Sequence, residues 1–407
     1  LVLFELSEYR RAEKHLAEGR IIGRKMKSSI LEFKCLIAGA YFALKRRQER
    51  KGLQLLRKAL QEGKEKGFVN TDWWLPRVMS FLLARALEEG IETGYARELI
   101  LRRKLVPDSP PYHIEHWPWP LRIFTFGNFV VQRDGAPLKY SRKAPKKPLE
   151  LLRLLVARGG KNVREDRLAE LLWPDAEGDV ARTALNVTVL RLRELLAVKG
   201  ALQVADGSVS IDDRLVWIYT RAFEKLLQTA EQAPRVAPDQ SLPRWGGAGV
   251  EGRLHFGMPP YLNPLPPGER AGVRGKAAIR KYPSAVVQNL EKAVHLYRGP
   301  FLADEDASWS IGPRERFREA FLGAIEALGN LWERKMQWRK AVEVYRRGLA
   351  VDDLIEQLHI RIMACLLRLG ARAEALAAYR RLRKTLKAYG VEPSEETEAV
   401  YRQIIGK

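Results

Sequence analysis

Two helical stretches near the end of the chain repeat at a fixed interval, and that interval limits the possible folds more than any other feature. Ala341 and Tyr345, in AVEVYRRGL, return as Ala375 and Tyr379, in AEALAAYRRL, each shifted by 34 positions. A repeat of that length holds two helices and a turn and cannot bury its own apolar face, so neighbouring repeats must stack. The small Ala lets helices approach, and the aromatic fills the space beside it. The first hundred residues have the same texture. Ile30, Phe33, Leu36, Tyr41 and Leu44 mark one amphipathic helix, Leu53, Leu56 and Leu60 the next, and Gly19, Gly52, Gly63 and Gly67 punctuate them. The segments AEKHL and GLQLLRKAL, 40 positions apart, read as related helical hairpins.

The middle of the chain follows a different rule. Prolines at 107, 110, 111, 118 and 120 stop the helical pattern. Residues 121–138 are rich in strand formers (Ile123, Phe124, Phe126, Phe129, Val130, Val131) broken by Gly127-Asn128 and Asp134-Gly135, which predicts a small antiparallel sheet. Helical patterns at 146–157, 164–172 and 181–197 come next, then an alternating hairpin at 202–211 around Asp206-Gly207. Sheet, three helices and hairpin is the order of a winged helix. The expected fold is therefore mainly α. A tetratricopeptide-like helical-repeat segment spans 1–106 and a Pro-rich linker 107–120; a small α+β winged helix spans 121–232. A Pro/Gly-rich insertion at 233–283 lacks the apolar periodicity to offset its ordering entropy and is expected to be disordered. Its piece NPLPPGERAGVRG resembles translated bacterial interspersed repeats. A tetratricopeptide-like α-solenoid occupies 284–407.

Composition narrows the partners. The 407 residues carry 71 Lys and Arg against 49 Asp and Glu, a net charge of +22, which favours a polyanion. No apolar run approaches the roughly 18 residues of a membrane helix. Residues 1–6 are apolar but lead at once into Ser7, Glu8, Arg10 and Arg11, unlike a signal peptide. The opening on Leu1, inside a helical pattern, reads as part of something longer. Cys35 and Cys365 are 330 positions apart, which argues against a disulfide framework and fits the cytoplasm.

The stretch 181–197 carries the chemistry. Leu185, Val189, Leu192 and Leu196 form one apolar stripe at i, i+4, i+7 and i+11. The other side presents Arg182, Thr183, Asn186, Val187, Leu190 and Arg191, the expected base contacts. In a major groove Asn pairs with adenine, Arg with guanine, and Thr or apolar groups meet thymine methyls. Val187 and Leu190 are out of place on a wet face but suit bases; a solvated face is the alternative. Expected phosphate contacts are Arg142, Lys143, Lys146 and Lys147 ahead of the first helix, Arg164 with Arg167 at the second, Arg193 on the third and Arg214 after the hairpin. Such contacts supply most of the affinity and make it salt dependent. The loop from Trp173 to Asp179 is acidic within a basic domain. Phosphate repels it, so Asp175, Glu177 and Asp179 are expected to meet RNA polymerase or a neighbouring subunit, or Asp179 to cap the helix; Trp173 is expected in the core.

Catalytic patterns fail. Gly275-Lys276 is followed by Ala277 and preceded at five positions by Arg270, so the phosphate-binding G-x-x-x-x-G-K-[ST] is broken at both ends. His113 and His116 flank Ile114-Glu115 without a further His or Cys nearby. No catalytic residue, metal or cofactor is expected, and the chain is not expected to be an enzyme.

Two long motifs, LELLRLLVARGGKNVREDRLAELLWPDA and ARTALNVTVLRLRELL, resemble the winged-helix DNA-binding domain of the SARP-type bacterial regulators. LYRGPFLADEDASW, AVEVYRRGL, ALAAYRRLRKTL and GVEPSEETEAVY resemble the bacterial transcriptional activator domain of the same family. GFVNTDWWLPRVMSFLLARALEEGIE is similar to the end of the helical-repeat sensor of maltose-activator-like ATPase regulators, which would imply an ATPase upstream. The sequence departs from the family pattern in VWIYTRAFEKLL, where Tyr219 replaces the usual Asp. The resemblance implies a transcription activator that docks on direct-repeat promoter sites, contacts RNA polymerase and pairs as a homodimer on DNA, away from any membrane. The competing reading is a helical-repeat protein scaffold whose winged helix is non-functional or binds protein; an NTP-driven switch rests on the larger relatives alone.

Overall fold

The structure, a computed structural model of the 407-residue chain, describes residues 1–70, 75–107, 111–140, 144–232 and 284–406. Arg142 and Lys143, and the insertion 233–283 expected to be disordered, lie outside the described residues. The chain packs as two units. One holds Leu1–Ile123 and Val130–Ile218; the other holds Phe124–Phe129 and the residues from Tyr219 onward. By packing, the N-terminal helices share a unit with the winged helix, and the helix from Tyr219 to Gln232 belongs to the second unit.

The first unit begins with α1 (Val2–Glu5), α2 (Tyr9–Lys25), α3 (Ser29–Lys45), α4 (Glu49–Lys66), α5 (Pro76–Glu88) and α6 (Thr93–Arg102). Phe33, Leu36, Ala40, Tyr41 and Leu44 of α3 are buried between α2 and α4. Ile30, expected on the same stripe, is exposed because the stripe runs out in the first turn of α3. The approach of α4 needs glycine: a Cβ on Gly52 would lie 2.5 Å from Leu44 Cγ, and one on Gly63 would lie 2.8 Å from the Phe33 ring.

The proline-rich stretch ends the helical array as expected but is no loose tether. Ile114, Trp117 and Trp119 are buried, the Trp217 indole donates to the Tyr112 carbonyl at 3.1 Å, and Arg122 pairs with Glu115 at 3.1 Å. Burying three large apolar side chains holds the segment against the unit. His113 pairs with Glu88 of α5 at 2.5 Å, and Arg85 donates to the same carboxylate. Burial raises the Glu88 pKa, but His113 and Arg85 outweigh it and hold the carboxyl below its ordinary 4.5. Its contribution is therefore full above the ordinary value and lost as pH falls through the lower folded value. Glu88→Gln is expected to lower the urea midpoint near neutrality, with the gap to the parent closing below about pH 4.

The winged helix follows: β1 (Leu121–Phe124), β2 (Val130–Arg133), β3 (Ala136–Pro137), α7 (Lys146–Ala157), β4 (Val163–Arg164), α8 (Glu165–Leu172), α9 (Gly178–Leu196), β5 (Leu202–Ala205), β6 (Ser208–Ile211) and β7 (Val216–Ile218). The first sheet runs β3-β2-β1-β7 and is mixed, not antiparallel as expected. The cause is β7, distant in sequence, which joins β1 in parallel with Leu121 opposite Val216 and Ile123 opposite Ile218. The second sheet, β4-β6-β5, is antiparallel and forms the wing. Asp206 and Gly207 close its hairpin with φ of +51° and +67°, as the tight turn requires.

The second unit comprises α10 (Tyr219–Gln232), α11 (Ser284–Leu296), α12 (Ile311–Arg334), α13 (Trp338–Leu349), α14 (Glu356–Arg368), α15 (Arg372–Ala388) and α16 (Glu395–Ile405). Ala341, Tyr345, Ala375 and Tyr379 are all buried, each pair on one helix of a stacked hairpin. The Tyr345 hydroxyl donates to Glu333 at 2.7 Å, and Arg361 donates to the other oxygen of that carboxylate at 3.0 Å. Phe126 packs edge-on against Phe223 at 5.4 Å and Phe317 at 5.5 Å, while the Gly127 N–H donates to the Pro300 carbonyl. Tyr219, the departure from the family pattern, is buried with its ring 4.6 Å from that of Phe124.

Candidate nucleic-acid interface

α9 is two-faced in the way its sequence demands. Leu185, Val189, Leu192 and Leu196 are buried, joined by Ala181 and Thr188, whose hydroxyl is tied to the Ala184 carbonyl at 2.8 Å. Arg182, Thr183, Asn186, Val187, Leu190 and Arg191 are all exposed on the remaining arc. Val187 is 44% and Leu190 56% exposed; apolar side chains left in water midway along a cationic helix suit a partner with methyl groups at its surface. Thr183 donates to the Asp179 carbonyl at 2.9 Å, so its hydroxyl faces a partner as an acceptor with its methyl alongside.

The expected phosphate ligands divide into two groups. Lys146 and Arg193, like Arg182 and Arg191, are exposed and make no ion pair or hydrogen bond among the described residues. Lys146 and Arg191 line one hollow of about 480 Å³ between the start of α7 and α9, and Arg193 lines another of about 710 Å³ beside β5. Lys147, Arg164 and Arg214 are engaged within the fold. Lys147 donates to the Leu172 carbonyl at 2.8 Å, closing the end of α8, and lies 5.3 Å from the Trp173 ring. Arg164 grips Asp166, whose carboxyl this bond holds below its usual range, and Arg167 pairs with Glu170. Arg214 likewise holds Asp212 low through its hydrogen bond. The hairpin 201–211 contains no Lys or Arg, so among the described residues the unpaired cations of the expected set lie on α9 and at the start of α7.

The acidic loop differs from expectation at its end. Asp179 lies in the first turn of α9 and does not cap it; the N-cap is Glu177, without a side-chain cap bond. The helix starts two residues earlier than a cap at Asp179 would set it, which moves Asp179 inside, where its charge suits the helix dipole. Asp175, Glu177 and Asp179 are exposed, and their carboxylates make no ion pair or hydrogen bond among the described residues. Trp173, expected in the core, is half-buried. Glu194 is a residue the sequence pattern does not single out: it is exposed and shares the hollow of Lys146 and Arg191. Only the folded placement of α7 against α9 brings the three together.

Residues 142–234 match the family described as transcriptional regulatory protein, C terminal, and residues 269–405 match the bacterial transcriptional activator domain. Together the two matches span more than half of the chain, in the order its motifs suggested. The chain is a SARP-type regulator. It binds DNA and regulates transcription. The regulator is similar to the regulatory protein DnrI of Streptomyces peucetius, at 24% identity over 297 residues covering 70% of this chain and 92% of DnrI. In three dimensions it is similar to EmbR of Mycobacterium tuberculosis, solved in complex with a low-affinity phosphopeptide, with a TM-score of 0.48 and 19% identity over 70% of this chain. The regulator spans 65% of that EmbR chain. Among its described residues, no helix is long and apolar enough to cross a membrane.

Proposed function

We propose that the SARP-type regulator reads promoter direct repeats with α9 in the major groove and activates transcription in the cytoplasm by contacting RNA polymerase. The observation that carries this reading is the exposed arc of α9, where Leu190 stands beside Asn186 and Arg191, which make no hydrogen bond or ion pair among the described residues. Arg182, Thr183 and Val187 complete the base-reading set. Lys146 and Arg193 hold phosphates on either side, and Lys147, Arg164 and Arg214 contribute through groups already tied within the fold. Arg142 and Lys143, which precede α7 in the sequence, are assigned to phosphates as well. Selection from a random duplex library by the full chain at two salt concentrations tests it. Enrichment of a repeated short motif, with affinity falling steeply as salt rises, is expected; salt-sensitive binding without enrichment overturns it. Two copies on one direct repeat, seen as a second shifted band that single-site duplexes lack, would be the homodimer.

The loop acids Asp175, Glu177 and Asp179 are assigned to the polymerase or a neighbouring subunit, because phosphate repels them. Asp175→Lys with Glu177→Lys is expected to leave operator affinity unchanged or slightly raised while transcription from that operator in vitro falls at least about tenfold. Loss of DNA binding with retained protein contacts would count against the assignment.

A further inference from the structure

The 34-residue shift makes Arg380 and Arg381 of α15 the counterparts of Arg346 and Arg347 of α13. In α13 both are occupied. Arg346 reaches Glu374 on the next repeat at 3.6 Å, and Arg347 donates to the Val294 carbonyl at 2.7 Å. Beside α15 lies α16, whose Glu398 is taken by the Tyr379 hydroxyl at 2.5 Å. Arg380, Arg383, Lys384 and Lys387 are exposed and make no ion pair or hydrogen bond among the described residues. They fall at i, i+3, i+4 and i+7, one stripe along the helix.

A merely solvated helix face interleaves opposite charges, as α2 does by pairing Arg11 with Glu8 and Lys14 with Glu18. On α15 the stripe has only cations; like charges at these spacings repel, and none of the four is in an ion pair among the described residues. Seven residues of helix rise about 10 Å, roughly the length of three base steps along one strand of duplex DNA. We propose that this stripe of α15 is a second, sequence-independent contact to the phosphates of the duplex that α9 reads. It rests on the DNA-binding reading of α9 and adds to it an activator domain that holds DNA in its own right.

The test uses the full chain and a duplex carrying the selected site with about three helical turns of flanking sequence on each side. The readout is the slope of log affinity against log salt. R380Q/R383Q/K384Q is compared with the parent and with R10Q/R24Q/K25Q, which removes the same charge from exposed, unpaired positions on α2. The α15 variant is expected to lose about two to three units of slope, since each phosphate contact contributes close to one, and to bind at least tenfold more weakly with its site preference intact. The α2 variant keeps the parent's slope. An unchanged slope in the α15 variant, or an equal loss in both variants, overturns the proposal and leaves the stripe to an acidic protein surface. Failure of the α9 reading is distinguished because it is seen in the parent, as absence of any preference for the selected site.

Discussion

Asn186→Ala is expected to lower the preference for the selected operator over random duplex by about 10- to 100-fold, the worth of one good bidentate base contact, ~1–3 kcal/mol. Its affinity for random duplex should hardly change. The side chain lies on the exposed arc of α9 and makes no hydrogen bond among the described residues, so truncating it to Ala removes no internal interaction. Lys146→Ala supplies the contrast. It stands across the 480 Å³ hollow from Arg191 and carries only charge, so its loss should weaken operator and random duplex alike and take about one unit from the salt slope. Competition binding with both duplexes separates the two outcomes. Equal losses from both variants on both duplexes would remove α9 from the recognition role.

Gly329→Ala is expected to destabilise the second unit by about 3 kcal/mol, read as a lower urea midpoint at unchanged slope. A Cβ there would lie 2.2 Å from the Tyr345 ring, which is buried and anchored through its hydroxyl to Glu333. The ring cannot swing aside without breaking that hydrogen bond, so the strain persists. Gly94, in the first turn of α6 and followed by Tyr95, has nothing within 4 Å of its would-be Cβ. Gly94→Ala should therefore stabilise by up to about 1 kcal/mol, the ordinary helix-propensity gain. Opposite signs for the same substitution in two helices would show that contact with Tyr345, not glycine itself, decides the effect.

Periodicity made much of this legible. The 34-residue recurrence placed Ala341, Tyr345, Ala375 and Tyr379 in stacked hairpins, and the i, i+4, i+7 stripe separated the buried from the exposed residues of α9. Local turn chemistry placed the wing, since Asp206-Gly207 suits positive φ. Long-range pairing was not legible. Nothing in the alternation at 121–138 shows that β7, nearly a hundred residues on, will join in parallel. Nor does a count of cations tell which of them the fold will use. Lys147 and Arg214 look like Lys146 in sequence, yet the Leu172 carbonyl and Asp212 engage them. The proline-rich stretch misled in the other direction: its prolines end helices, while its tryptophans are buried.

The six residues Phe124–Phe129 sit in sequence between two strands of the first unit but pack with the second. This sets a timetable for the nascent chain. Phe126 leaves the ribosome about 190 residues before Phe317, one of the rings it packs against, which at typical elongation rates is a wait of roughly 10–40 s. The winged helix can assemble in that interval, but the second unit cannot close until its distant first piece is recovered. A ribosome making this regulator thus releases the whole sequence of the first unit before most of the second, and Phe124–Phe129 wait for partners that come last.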